Sequence, residues 1–275
     1  MSIADQHGTT DDDASHPFTA ERRQRYAAAE AVSPQARRRE LESFPRHLAN
    51  GSGRTLLELG SGNGTLTRSL MELGWCVDTI DVAFAPIKGA RRHYAQNLSE
   101  GLPRLVMDRP YEAVASLATL HHVVDRPDRL PDRLASGLAS VTASGATVVL
   151  QDVPAPGAVA RRAGEPGGDE ARATAEFFAK AVDRYSQPRH SGIYLEMDRI
   201  AGQLEGLGFE TVSVGWHACS WGFAGLDELA DFATALFNLD LDRPVLDAIL
   251  DGQWRAASDG VEMLWALDCL VMRKA

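Results

Sequence analysis

The residues with the clearest chemical purpose stand in one run, Leu56-Leu57-Glu58-Leu59-Gly60-Ser61-Gly62-Asn63-Gly64. An apolar strand pattern enters three glycines at alternate positions, and helical spacing through Leu66, Leu70 and Leu73 begins at once. A chain turning this tightly needs positive φ angles and lets a ligand approach its backbone. The helix that follows opens with unpaired N–H groups, which face whatever sits on the turn. The spacing narrows the ligand. A dinucleotide fingerprint reads G-x-G-x-x-G, and its third position falls here on Thr65. No Lys follows the glycines, which excludes a P-loop. Glu58 would repel a pyrophosphate and attract an ammonium. Asp81 closes the next apolar run, Trp75-Cys76-Val77-Asp78-Thr79-Ile80, where a carboxylate can accept hydrogen bonds from both hydroxyls of a ribose.

A second set of groups could move protons. His121 and His122 follow the apolar stretch Tyr111–Leu120, and an imidazole titrating near pH 6.5 suits a general base. A packing role is equally open to them. Successive residues leaving a strand point opposite ways, so the two are expected to reach different atoms. Farther along, Tyr185, His190, Tyr194 and Trp221 are polar-aromatic groups able to line an acceptor site, with Phe177 and Phe178 nearby; ordinary packing is the alternative for each. Asp152 could hold a substrate amine or hydroxyl, or be a solvated loop acid. The three cysteines, Cys76, Cys219 and Cys269, lie far apart with no metal-ligand spacing, so no metal site is expected.

The run E-x-G-x-G-x-G, the acid ending strand two, and the segment Ala118-Thr119-Leu120-His121-His122 together resemble class I S-adenosylmethionine (SAM) dependent methyltransferases. The similarity is to the small-molecule branch that includes the ubiquinone-biosynthesis and trans-aconitate methyltransferase types. It covers residues 50 to 155 well and the remainder weakly. It implies SAM as cofactor, with Glu58, Gly60, Ser61, Gly62, Gly64 and Leu117 around its methionine part and Asp81, with Val82 beside it, at the ribose. In such proteins N-terminal helices cover the cofactor and a tyrosine there touches its carboxylate, a part that falls to Tyr26. His121 and His122 become the candidate catalytic residues, and Tyr185, His190, Tyr194 and Trp221 the candidate acceptor contacts. The resemblance also implies a longer loop after strand three for the adenine ring. This chain is short there, and Asp108 is the one acid available.

These groups need a scaffold that brings distant loops to one edge. Strand and helix patterns alternate from Arg54: a helix over 85–97, a weak third strand over 102–107, a fourth in the stretch 111–123, then a helical stripe through Leu130, Leu134, Leu138 and Val141. Gly145 breaks it, and Ala146–Leu150 is apolar on both faces, as a buried parallel strand is. Such repetition predicts right-handed crossovers and an α/β, Rossmann-like doubly wound sheet of seven strands, mostly parallel, ending in an antiparallel strand. Loops after strands one, two and four then share a single cleft. Later patterns predict a flexible connection over 154–169, helices over 170–185 and 197–207, a strand over 209–216, helices near 226–236 and 243–256, and a last strand over 263–272. The expected division is a disordered tail at 1–16, cofactor-covering helices at 17–49, and a catalytic domain at 50–275 with a lid insertion at about 154–195.

Composition excludes other classes. The chain has 275 residues and a net charge of −10, with no basic stripe, which opposes a nucleic-acid partner. No apolar run reaches the ~18 residues of a membrane span, and no signal peptide is evident, so a cytoplasmic location is expected. Arg far outnumbers Lys, which points to a GC-rich, bacterial gene. The expected partner is a small molecule; the assembly is left open, a homodimer included. Two alternatives to methyl transfer stand: a same-fold enzyme that cyclises the aminobutyrate arm of SAM and releases methylthioadenosine, and a non-catalytic SAM-binding module.

Overall fold

A computed structural model describes residues 20–82, 86–106, 110–190 and 192–275. In chain order the first half contains α1 (Ala20–Val32), α2 (Ser43–His47), β1 (Thr55–Leu59), α3 (Thr65–Glu72), β2 (Cys76–Asp81), β3 (Arg92–Ala95), β4 (Tyr111–Leu117), α4 (Asp132–Val141) and β5 (Thr142–Asp152). The second half contains α5 (Pro156–Arg161), α6 (Gly168–Phe177), α7 (Asp183–Tyr185), α8 (Met197–Glu205), β6 (Phe209–Ala218), β7 (Trp221–Phe223), α9 (Leu226–Phe237), α10 (Arg243–Leu250), β8 (Trp254–Ala257), β9 (Gly260–Met263) and β10 (Ala266–Lys274).

The main sheet runs β3-β2-β1-β4-β5-β10-β6. β10 lies antiparallel between β5 and β6, and the pairs from β3 to β5 are parallel. This is the seven-stranded sheet expected from the sequence. Alternation on the strands dictates its layers. Leu56 faces a layer with Phe44, Leu66 and Leu70, whereas Leu57 and Leu59 face one with Leu134, Leu138, Ile200 and Leu204. Full burial of each such side chain contributes about 1.5–3 kcal/mol. In the register Leu59 lies beside Ile80 and Ser116, so β1, β2 and β4 finish at the same edge.

Three expectations fail, each for a physical reason. The third strand is Arg92–Ala95, inside the segment expected to be helical, and 104–106 form a turn. This edge strand is short and half-exposed, so no apolar pattern announces it. Charge anchors it instead: Arg91 pairs with the fully buried Asp78 at 2.7 and 2.6 Å, and Tyr111 Oη donates to the same carboxylate at 2.8 Å. The connection after β5 contains a short helix, α5, started by Pro156 at its first turn. The expected last strand divides: Met263 ends β9, and β10 starts at Ala266.

β9 belongs to a second sheet, β7-β9-β8, which nothing in the strand spacing foretold. With α1, α9, α10 and the continuous helix 168–185 it encloses a separate apolar cluster containing Phe177, Trp221, Leu229, Phe232 and Trp265. That helix carries a π turn at Phe178–Val182, an irregularity that re-aims side chains and recurs at functional sites. The cluster sits as a cap beyond the edge where β1, β2 and β4 end. No described helix is long and apolar enough to cross a membrane.

Candidate functional site

A cavity of about 480 Å³ separates the sheet edge from the cap. Its floor is the glycine turn. Gly60 has φ +74°, and a Cβ there would lie 2.0 Å from Thr119 Cγ2, so glycine alone fits between β1 and the loop after β4. Gly60 N–H donates to Ile80 O at 2.8 Å and Gly62 N–H to Asp81 Oδ2 at 2.8 Å, which fixes the turn to the end of β2. Gly64, at φ +85°, caps α3 and does not line the cavity.

Glu58 forms part of the floor although its residue is only 1% exposed. Burial pushes its carboxyl up to about 8; the Thr67 hydroxyl, donating at 2.6 Å, opposes that shift, and the charge of Asp81 adds to it. A carboxyl held near neutrality at a cavity wall takes its charge readily when a cation arrives. One wall is Val82 with Gln96, Asn97, Leu98 and Ser99. Gln96 N–H donates to Asp81 O at 2.9 Å, and Asn97 Oδ1 accepts from Ser99 N at 3.0 Å and Ser99 Oγ at 2.8 Å. Because the third strand ends at Ala95, the loop to β4 spans 96–110, and the shortage of residues expected here does not arise. Asp108 lies outside the described residues, as does the 1–16 segment.

The ceiling comes from α1, the turn after it and β7. Arg37 pairs with Glu40 at 2.6 Å and Glu30 at 3.2 Å, and also donates to Tyr26 Oη. Glu40, 1% exposed, accepts the Trp221 indole N–H at 2.9 Å. Glu30, whose carboxyl is pushed up by burial, accepts from Asn63 and, at 3.1 Å, from Thr65 Oγ1. Through it α1 is tied to the glycine turn. Tyr26 and Trp221 therefore line the cavity, but within a network whose centre, Arg37 and Glu40, sequence reasoning missed. Neither sits in a motif; a buried Glu in a polar helix shows itself only in three dimensions.

The far end is lined by Leu117, Val153, Phe178, Phe237 and Trp265, with the imidazoles of His121, His122 and His190. Residues 120–122 form one 3-10 turn and not a continuation of β4. The two adjacent histidines therefore do not diverge as a strand would make them: their ring centroids are 3.9 Å apart. Asp152 is not a solvated acid and does not line the cavity. It is fully buried, accepts His121 N at 3.2 Å and Val153 N at 2.7 Å, and lies 2.5 Å from His121 Nδ1. Asp183 does the same for His190 Nδ1 at 2.9 Å and also accepts Tyr194 Oη. Tyr194 thus stands behind His190, its hydroxyl held protonated by burial and by Asp183. Tyr194 and Tyr185 do not line the cavity, while Ser61 does.

Comparison with known proteins agrees with this geometry. A family model described as a methyltransferase domain matches residues 22–214. No curated protein matches the chain. Among solved structures the chain is similar to a presumed methyltransferase of Bacillus halodurans, with TM-score 0.53 and 16% identity over 86% of this chain and 98% of that one. It is also similar to 1,6-didemethyltoxoflavin-N1-methyltransferase of Burkholderia thailandensis, with TM-score 0.51 and 13% identity over 99% and 93%. A third is magnesium protoporphyrin IX methyltransferase of Synechocystis, with TM-score 0.50 and 13% identity over 98% and 100%. At these identities the likeness is one of fold, and the family match covers more than half of the chain. The chain belongs to the methyltransferase-domain family, on a class I fold.

Proposed function

We propose that this protein transfers a methyl group from SAM to a small, largely apolar acceptor carrying one polar nucleophile. The observation that carries the reading is the pairing of the Gly60–Gly62 turn with Asp81 across one cavity whose opposite end is aromatic. The donor set fits the cofactor. Glu58 offers a carboxyl to its ammonium, Asp81 a carboxylate to its ribose diol, Leu117 an apolar contact, and residues 96–99 a wall for adenine. A Cβ on Gly62 would meet nothing within 4 Å, so the backbone there opens on the cavity. Tyr26, tied to Arg37, sits where a carboxylate would meet it.

The cofactor supplies an activated sulfonium methyl. The chain has to hold a nucleophile in line with it and keep water out, and positioning alone is worth up to ~7–11 kcal/mol. Phe178, Phe237 and Trp265 exclude water and favour a flat acceptor. His121, held in orientation by Asp152, and His122 face the nucleophile's proton. As the new bond to carbon forms and the sulfur–carbon bond breaks, that proton passes from the acceptor oxygen or nitrogen to an imidazole nitrogen.

The test is product analysis. Full-length protein is incubated with SAM and a panel of hydroxylated and aminated aromatic acceptors, and products are read by mass spectrometry. S-adenosylhomocysteine with an acceptor heavier by one methylene supports the reading. Methylthioadenosine with no methylated acceptor would replace it with cyclisation chemistry, and binding without turnover on every acceptor would favour a module.

A further inference from the structure

We infer that His121, His122 and His190 form a binding site for one divalent transition metal ion, Zn²⁺ in type, at the acceptor end of the cavity. Each residue offers one ligand nitrogen, and these atoms all lie within 4.8 Å of one another. His121 and His190 are buried, at 5% and 7% exposure, and His122 is exposed. The three arrive from two segments: the 3-10 turn after β4, and the loop between α7 and α8. No spacing in the sequence connects them.

Three observations favour a metal over a packed aromatic cluster. First, both buried imidazoles are backed by carboxylates on Nδ1, Asp152 at 2.5 Å and Asp183 at 2.9 Å. A carboxylate accepting Nδ1–H fixes the neutral tautomer and leaves Nε2 as the donor atom, the arrangement that orients histidine ligands in metal sites. Secondly, the His121 and His190 rings converge on one glycine of the backbone. A Cβ placed on Gly192 would lie 2.6 Å from His121 Cδ2 and 2.7 Å from His190 Nε2, so the backbone is glycine where the two rings converge. Thirdly, two carboxylates behind the cluster, Asp152 fully buried and Asp183 half-buried, supply negative charge to offset a dication.

All-imidazole nitrogen selects against Mg²⁺ and Ca²⁺, which take oxygen, and suits zinc and its neighbours. Bonds of about 2.0–2.1 Å place tetrahedral ligand nitrogens about 3.4 Å apart, so the triangle contracts through rotamer adjustment, chiefly of the exposed His122. Three protein ligands leave the fourth position open, as catalytic sites do. Because all three rings line the cavity, that position faces the acceptor. With the ion in place the imidazoles are ligands and no longer bases; an acceptor hydroxyl bound there gives up its proton to water at the cavity mouth more easily, and its oxygen remains on the metal as the nucleophile. This role for the ion rests on the methyl-transfer reading; the metal site itself does not.

The test is calorimetric titration of Zn²⁺ into chelator-treated full-length protein, with Co²⁺ absorption in the visible as a second readout. Wild type is expected to take up one equivalent and to give the intense bands of a four-coordinate Co²⁺ site. His122→Ala, a change at an exposed side chain, and His190→Asn are each expected to weaken Zn²⁺ binding by about tenfold or more. Absence of stoichiometric uptake by wild type would overturn the proposal, and so would both variants binding as wild type does. If His190→Asn loses its near-UV circular dichroism, His122→Ala decides alone. S-adenosylhomocysteine is titrated into the same samples. Its binding without Zn²⁺ uptake removes the metal site only, and Zn²⁺ uptake without its binding removes the methyl-transfer reading only.

Discussion

The floor of the cavity and its cap are built on different principles. The floor is one continuous stretch of chain, Glu58 to Asn63, with Asp81 one strand away, and its shape is a property of backbone angles. The cap joins α1, the helix 168–185, the three-stranded sheet and α9, elements far apart in the chain that pack through their apolar side chains. A backbone-made site is intolerant of a single methyl group. A packed cap is intolerant of lost volume and of stranded polar groups, yet indifferent to changes on residues that face away from the cavity.

The largest effect is expected in the cap. Trp221→Ala removes a side chain whose ring centroid lies 3.9 Å from that of Trp265 and takes one hydrogen bond from the buried Glu40, so a loss of about 3–5 kcal/mol in chemical denaturation is predicted. A loss below about 1 kcal/mol would mean that the cap is not the packed unit described here. On the floor, Gly60→Ala combines a left-handed φ with a collision at Thr119; about 2–4 kcal/mol of stability and most of the affinity for S-adenosylhomocysteine should go together. Retained affinity would place the ligand away from the turn.

The floor also carries a proton-linked signature. The Glu58 carboxyl, about 4.5 in ordinary surroundings, stands at about 8 in the fold. Between those values the folded protein holds a proton that the unfolded chain has released, so this contribution to stability is complete below the lower value and is lost as pH rises through the upper one. In denaturant titrations without ligand, the stability of wild type relative to Glu58→Gln is predicted to fall from pH 5 to pH 8. A ligand ammonium favours the ionised form, so affinity for S-adenosylhomocysteine should rise over the same interval in wild type and stay flat in Glu58→Gln. A wild-type affinity independent of pH would separate Glu58 from the ligand. The smallest effect is predicted at Tyr185→Phe, outside the cavity lining: within about 0.5 kcal/mol in stability, with turnover unchanged.

The same contrast explains what could be read from the sequence. Glycine identity, strand apolarity and a strand-end acid are local signals, so the turn, Asp81 and the mostly parallel seven-stranded sheet were legible. β3 was not, because Arg91 and the buried Asp78 hold it in place of an apolar pattern. The convergence of His121 and His122 was not, because a strand expectation was extended into a 3-10 turn. Arg37 and Glu40 carry no signal, since their partners, Trp221 and Tyr26, come from other elements. Tyr194 was chosen by type; its hydroxyl turns away from the cavity to Asp183.

The central claim is that the glycine turn and Asp81 hold a SAM-type nucleoside. The most direct measurement is calorimetric titration of S-adenosylhomocysteine into wild type and Asp81→Ala, with thermal melts to establish that the variant is folded. Wild type is expected to bind saturably and one-to-one, and the folded variant with an affinity weaker by about tenfold or more, about 1.4 kcal/mol. Equal affinity in the two proteins, or none in wild type, would contradict it.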